Sequence, residues 1–174
     1  MSAPKPAEPE PTNQTAKWWL TIFLVVCVVL CAIGVAVVML RQKPADQQGQ
    51  GYAIAKLHAG DKTYDLQVAD TPAKNELGLG GRENLGPRAG MLFTYPEEQA
   101  PGGICFWMKD MRFSIDIIWL DGQKKITHIE PSLSPATYPK TYCPPKASQY
   151  VVELNAGTAQ KLDWQVGTSL DFSR

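Results

Sequence analysis

The sequence has few of the side chains on which most enzymes and metal sites depend. Its 174 residues include two histidines, His58 and His128, and four cysteines. Neither histidine lies in a group with the spacing of metal ligands. The serine motif of hydrolases and the glycine-rich motifs of nucleotide sites are also absent. We therefore expect no metal and no cofactor, and we interpret both histidines as ordinary strand residues.

The chain also lacks an excess of charge of either sign. Its 17 Lys and Arg residues balance 17 Asp and Glu residues. Beyond residue 40 the balance persists, with 15 basic and 15 acidic residues. Nucleic acids and anionic lipid head groups are bound by clusters of basic side chains. The even charge therefore argues against nucleic acid as a partner.

Charge is missing altogether from residues 18–40, WWLTIFLVVCVVLCAIGVAVVML. As a helix this segment would span roughly 34 Å, more than the roughly 30 Å of a bilayer's hydrocarbon core. It has no polar face, so it predicts a single transmembrane helix rather than a helix of a soluble core. A cleaved signal peptide is the alternative, with Gly34 and Ala36 as small residues near a cleavage site. The apolar run continues to Leu40, which favours an uncleaved anchor.

Composition divides the remainder of the chain into three parts. Residues 1–17 carry four prolines and mixed charges, which is typical of a disordered tail. Residues 41–51, RQKPADQQGQG, indicate a flexible tether. Residues 52–174 are enough for one domain with its own core. Basic residues flank the apolar segment almost equally, but a short tail and a long C-terminal domain favour a domain outside the cytoplasm.

The folded part is predicted to be mainly β. Turn residues separate about eight apolar runs, and Asp121-Gly122 is a strong hairpin signal. The expected strands are 52–58, 62–69, 90–95, 104–109, 115–120, 124–130, 150–155 and 168–172. Short helices are expected within 70–78, capped by Asp70 or Thr71, and within 156–163. A proline-rich surface loop is expected at 131–149. This pattern favours an antiparallel sandwich or barrel, with a mixed α+β sheet as the alternative.

The stretch CFWMKDM, residues 105–111, places a lysine inside an apolar run. Strand alternation puts Cys105, Trp107 and Lys109 on one face. Such a lysine either neutralises an acid at the edge of the core or belongs to a binding site. We expect the first role rather than a catalytic one.

Two acids lie in otherwise apolar strands. Asp116 is in IDIIWL and Glu153 is in YVVELN. Buried charges are costly unless paired, and Lys109 and Arg82 are the candidate partners. The set forms either a structural ion-pair network or a polar cluster at the mouth of a pocket beside Trp107. Paired carboxylates also suit acid–base catalysis.

Cys105 and Cys143 are the only cysteines of the folded part. Outside the cytoplasm an even pair is a plausible disulfide. It would close a loop of about 39 residues and stabilise the domain by roughly 4 kcal/mol in the chain-entropy treatment. Two unrelated thiols are the alternative.

Four stretches, in this order, resemble the domain-of-unknown-function family numbered 192. They are VADTPAKNELGLGGRENLGPRAGMLFTY, FWMKDM, IDIIWLD and YVVELNAG, and the resemblance covers about residues 62–172. It implies an exported or membrane-anchored protein whose domain is a compact, mainly β sandwich resembling a jelly roll. It implies no reaction, because the activity of this family is not established.

The chain departs from the pattern of the family at several positions. Asn75 replaces a common arginine, Gly80 replaces the methionine of a GLM motif, and Ser114 replaces a proline. The arginine's absence is expected to weaken any site that the family shares. The following residues match the pattern: Arg82, Trp107, Met108, Lys109, Asp116, Glu153 and Asn155.

Two hypotheses of function follow for an anchored domain outside the cytoplasm. The first is a non-catalytic binding or interaction module for a cell-envelope component or a small polar ligand. The second is a hydrolase-type enzyme that uses Asp116 and Glu153 as acid and base. The candidate ligand-binding residues are Arg82, Trp107, Lys109, Asp116, Glu153 and Asn155.

Overall fold

The computed structural model describes residues 51–173 and seven helical positions, 18, 23, 24, 26, 27, 29 and 30. The chain divides into two compact units, residues 1–47 and 48–174. The predicted tail (1–17), nearly all of the tether (41–51) and most of the predicted transmembrane helix (18–40) lie outside the described residues. Among the described residues, no helix has the length and apolar character needed to cross a membrane.

The second unit is mainly β, as predicted. Seven of its described strands form one sheet in the order β6-β5-β8-β3-β2-β1-β9, and β4 and β7 form a separate two-stranded ribbon. The strands are β1 Ile54–Ala59, β2 Lys62–Ala69, β3 Ala89–Gln99, β4 Phe106–Trp107, β5 Ile115–Leu120, β6 Ile126–Leu133, β7 Thr141–Tyr142, β8 Ser148–Asn155 and β9 Asp171–Ser173.

The sheet is mixed, and this corrects the prediction of an antiparallel sandwich. Strands β2 and β3 run parallel, with Val68 opposite Leu92, while the other pairs of the sheet are antiparallel. Parallel neighbours need a crossover connection rather than a tight turn, and the segment that contains the first helix provides it. The mixed sheet was the alternative from sequence, and the jelly roll implied by the family resemblance is not confirmed.

Both predicted helices are present and short. Helix α1, Pro72–Leu77, begins after Thr71, whose side-chain oxygen accepts a hydrogen bond from the Lys74 backbone N–H at 3.3 Å. It ends at Gly78, whose φ of 50° is a conformation that glycine adopts without steric cost. Helix α2, Thr158–Lys161, follows Gly157. One further 3-10 turn, Pro135–Thr137, lies in the predicted proline-rich loop.

The sheet has a hydrophobic core on each face. All six residues of β5 are buried. Its even-numbered apolar residues join one core and its odd-numbered residues join the other. The first core also contacts Leu162 and Trp164, which follow α2. The second core includes Leu79 after α1 and Met108 beside the ribbon. Central strands buried on both sides lack a polar face, which is why β5 reads as a continuous apolar run.

A disulfide joins Cys105 to Cys143 across 38 positions of the chain, as predicted. It lies next to the ribbon, in which Phe106 is opposite Tyr142. The ribbon is shorter than the predicted strand 104–109, and β7 falls in the segment predicted to be a loop. Two residues a strand give too little pattern to recognise from sequence.

Candidate functional site

An inner cavity of about 330 Å³ lies between the α1 segment, β3 and the ribbon, on the second core's side of the sheet. Its apolar wall includes Phe93, Phe106 and Met111. Its polar and charged lining is Asn75, Glu76, Tyr95, Lys109 and Glu153. A mainly apolar pocket with a few convergent polar groups is typical of a small-molecule site.

Glu153 lies at this cavity because of its register in the sheet. Strand β8 runs between β3 and β5, and Glu153 is opposite Met91 on one side and Ile117 on the other. Glu153 is 4 % exposed, and its Oε2 has no hydrogen-bond partner among the described residues. Burial raises the pKa of Glu153 from its ordinary value of 4.5 to about 8, although the charge of Arg82 opposes the rise.

Arg82 lies near Glu153 but does not line the inner cavity. Its Nη2 donates a hydrogen bond to Gln67 Oε1 at 2.6 Å, and its Nε is buried without a partner among the described residues. Burial lowers the pKa of Arg82, whereas Tyr52 and Glu153 raise it. Arg82 therefore acts on Glu153 through its charge, and the two side chains make no ion pair in the described part of the chain.

Asn75 and Tyr95 belong to the same cavity, although the sequence did not single them out as ligand residues. Asn75 Oδ1 is buried without a hydrogen-bond partner among the described residues. Burial raises the pKa of Tyr95, and the charge of Glu153 raises it further. Alternation along β3 puts Tyr95 on the side of Phe93, and this period was the available signal. Nothing in the sequence alone places Asn75 at the same cavity as Glu153.

Trp107 and Lys109 lie at the mouth of the cavity. Trp107 is 45 % exposed, and Lys109 Nζ is 5.6 Å from its ring centroid. Tyr138 meets the indole edge-on, with ring centroids 6.4 Å apart. Lys109 makes no ion pair with an acid in the part of the chain that the structure describes. The expectation that it neutralises an acid at the core edge is not confirmed, since its contact is with Trp107.

A wider outer basin of about 690 Å³ adjoins the inner cavity. Trp107, Lys109 and Met111 line both spaces. Gly80 lies in their shared wall, where an added Cβ would be 3.0 Å from the Leu77 carbonyl oxygen and 3.4 Å from that of Lys109. Glycine at this position lets the α1 segment and the chain that follows β4 approach closely.

Asp116 does not share the cavity with Glu153. It is opposite Leu154, the residue after Glu153, so its side chain lies on the other face of the sheet. Its carboxylate accepts backbone hydrogen bonds at 2.8–2.9 Å from Ser132, Gly157 and Ala159. Asp116 therefore links β6 and the start of α2 to β5 by hydrogen bonds. The structure does not bring the predicted acid–base pair, Asp116 and Glu153, together.

Asn155 also has a structural position. Its Nδ2 donates to the carbonyl oxygens of Leu85 and Gly86, at 3.3 and 2.9 Å. This holds the loop before β3 against the end of β8. Of the six predicted ligand residues, the structure brings Trp107, Lys109 and Glu153 to one cavity, with Arg82 nearby. Asp116 and Asn155 lie elsewhere.

Comparison with known proteins gives a family and a fold. Residues 54–172 match the model of the family DUF192, described as "Uncharacterized ACR". A putative transcription regulator from Sinorhizobium meliloti 1021 has a similar structure, with 29 % identity and a TM-score of 0.60, over 70 % of this chain and 95 % of that one. A protein of unknown function from Novosphingobium aromaticivorans DSM 12444 has 22 % identity and a TM-score of 0.58, over 69 % and 84 %. No curated protein matches the chain.

Proposed function

Since the chain belongs to the DUF192 family, whose description names no activity, we propose a function from the site itself: a non-catalytic binding module that takes a small polar ligand in the inner cavity. The observation that carries this proposal is Glu153 Oε2, which is buried at the cavity without a hydrogen-bond partner among the described residues. An unsatisfied buried polar atom costs about 1–3 kcal/mol. A ligand that makes a hydrogen bond with it would recover that cost.

The other lining groups support binding of a polar molecule. Asn75 Oδ1 is an acceptor without a partner in the described part of the chain, and Tyr95 brings a hydroxyl. Trp107 and Phe106 offer aromatic surface beside these polar atoms. This combination fixes the orientation of a ligand by hydrogen bonds and contributes affinity by apolar contact.

The hydrolase hypothesis gains no support from these positions. Its acid and base were Asp116 and Glu153, which lie on opposite faces of the sheet. The three backbone donors on Asp116 account for that carboxylate without a substrate. A binding role for Glu153 requires no partner carboxylate.

We also propose that residues 18–40 anchor the protein to a membrane, with the domain outside the cytoplasm. The uncharged apolar run supports the anchor. The Cys105–Cys143 disulfide supports the location, because disulfides persist in oxidising compartments. A cell-envelope component is then the expected source of the ligand.

A thermal-shift screen of sugars, nucleotides and amino acids tests the binding role. A ligand that binds only the folded state raises stability by about 2.7 kcal/mol at one hundred times its Kd. We expect a concentration-dependent rise that Glu153→Leu, which removes both carboxyl oxygens, and Lys109→Ala reduce. Lys62→Ala is the matched control, because Lys62 is exposed on β2 and lines neither space. A shift that survives unchanged in Glu153→Leu would place the ligand elsewhere.

A further inference from the structure

The ionised groups in the wall of the inner cavity balance. Glu76 and Lys109 are one acid and one base, while Glu153, whose pKa is raised to about 8, is protonated and uncharged near neutral pH. Arg82 does not line the cavity and donates its hydrogen bond to Gln67. Clefts that attract ions are lined by charges of one sign, which focus the field. One acid and one base in the wall give no such field, so the arrangement favours an uncharged ligand.

The outer basin shows the same balance. Its lining includes Glu76 and Asp110 as acids and Lys109 and Arg112 as bases. Arg112 is itself ion-paired with Glu83, which does not line the basin. A ligand that extends from the inner cavity into the basin therefore meets no net charge along its path.

The inner cavity offers hydrogen-bonding groups of both kinds. Asn75 Oδ1 accepts, and the Glu153 carboxyl, which is protonated below pH about 8, can donate as well as accept. Asn75 Oδ1 and Glu153 Oε2 are both buried and without a partner in the described residues. A hydroxyl group supplies one donor and two acceptor lone pairs without a charge. A neutral molecule with several hydroxyls can therefore meet both oxygens and still accept from the Tyr95 hydroxyl.

Trp107 provides a second element of recognition where the two spaces meet. It lines both and is 45 % exposed, which is a large apolar surface to leave in water. The face of an indole ring is electronegative. The C–H face of a sugar ring is apolar and slightly electropositive, so it stacks on such a surface while its hydroxyls point to the polar groups beside it.

We propose that the inner cavity and the outer basin together bind one neutral oligosaccharide. A terminal ring lies in the inner cavity against Glu153 and Asn75, and a following ring stacks on Trp107. The outer basin has a volume of about 690 Å³ and the inner cavity about 330 Å³, which indicates that the longer part of the ligand lies in the basin. This inference rests on the proposed binding function and names its ligand class.

Calorimetric titration of the full-length chain, in a detergent without a sugar head group, tests the ligand class. The probes are chitotetraose, its fully de-N-acetylated cationic counterpart and the anionic tetragalacturonate. We expect chitotetraose to bind at least tenfold more tightly than either charged tetramer. Trp107→Ala should weaken the binding of chitotetraose at least tenfold and that of N-acetylglucosamine by a smaller factor, because the single ring lies in the inner cavity and lacks the ring that stacks on Trp107. Val166→Ala, at an exposed apolar residue outside both spaces, is the control.

Two results would overturn the inference. One is binding of a charged tetramer as tightly as chitotetraose, and the other is no binding of chitotetraose. Titration of amino acids and nucleotides on the same protein separates the two proposals. If one of these binds and Glu153→Leu abolishes the binding, the cavity is a binding site and the oligosaccharide inference is wrong. If no probe binds, both proposals are wrong.

Discussion

Glu153 is predicted to make the domain less stable as the pH rises. Its pKa is about 8 in the folded protein, against an ordinary value of 4.5. Below pH 4.5 the carboxyl is protonated in both the folded and the unfolded chain, so it adds no pH dependence. Between pH 4.5 and about 8 the folded chain keeps a proton that the unfolded chain has released. The free energy of unfolding therefore falls with rising pH in this window and levels above it.

The magnitude follows from the width of that window. Each pH unit changes the free energy of unfolding by about 1.4 kcal/mol, so the full window corresponds to about 5 kcal/mol at most. Glu153→Gln keeps the side-chain shape and removes the titration. We expect the variant to equal the wild type near pH 4.5 and to exceed its stability progressively toward pH 8.

Urea unfolding at pH 5, 6.5 and 8, followed by tryptophan fluorescence, measures this difference. Trp119 is fully buried in the second core and reports on the loss of that core. Glu97→Gln is the matched control, because Glu97 is exposed near the end of β3. A constant stability difference between the Glu153 variant and the wild type at all three pH values would refute the reasoning.

Three further predictions concern structural features. Asp116→Asn should lower the free energy of unfolding by about 3 kcal/mol, because the amide cannot accept all three backbone hydrogen bonds. Asp121→Asn should lower it less in the same urea titration, because Asp121 lies at an exposed turn and only one of its carboxylate oxygens accepts backbone hydrogen bonds, two in number. Gly90→Ala should lower the free energy of unfolding by about 1–3 kcal/mol, since its Cβ would lie 2.7 Å from the Glu153 carbonyl oxygen. Gly86→Ala is the control, because its Cβ would make only an ordinary contact at 3.5 Å. Replacing both bonded cysteines with serine should lower the free energy of unfolding, measured by thermal unfolding, by about 4 kcal/mol. It should also weaken ligand binding, because Cys105 lines the cavity. Unchanged binding would show that the ribbon holds the cavity wall without the disulfide.

The burial of Glu153 has a functional interpretation because it is unfavourable for folding alone. A leucine at this position of β8 would lie beside Met91 and Ile117 without burying an oxygen that lacks a hydrogen-bond partner. Carboxyls with strongly raised pKa values occur most often where a site requires them. Asp116 is the opposite case, since its carboxylate is fully buried yet hydrogen-bonded to three backbone donors. Its role is explained by the fold.

Strand alternation predicted much of the site's geometry. It places Trp107 with Lys109, and both line the same cavity. It does not relate the faces of separate strands, so it leaves Asp116 and Glu153 as a possible pair. Their separation follows from the register that sets Asp116 opposite Leu154. Register is a long-range property that a single strand's pattern does not contain.

The sequence by itself determined the local features: the uncharged run of residues 18–40, the strands β1 and β2, the short helix after Asp70 or Thr71 and the balance of charge. These follow from the period, caps and composition of neighbouring residues, which act over a few positions. Only the tertiary structure decided that β2 and β3 are parallel, that Cys105 reaches Cys143, and that Asn75 and Glu153 line one cavity. These features depend on how segments distant in the chain pack together. Many residues contribute to the free energy of that packing, so no single stretch of sequence determines it.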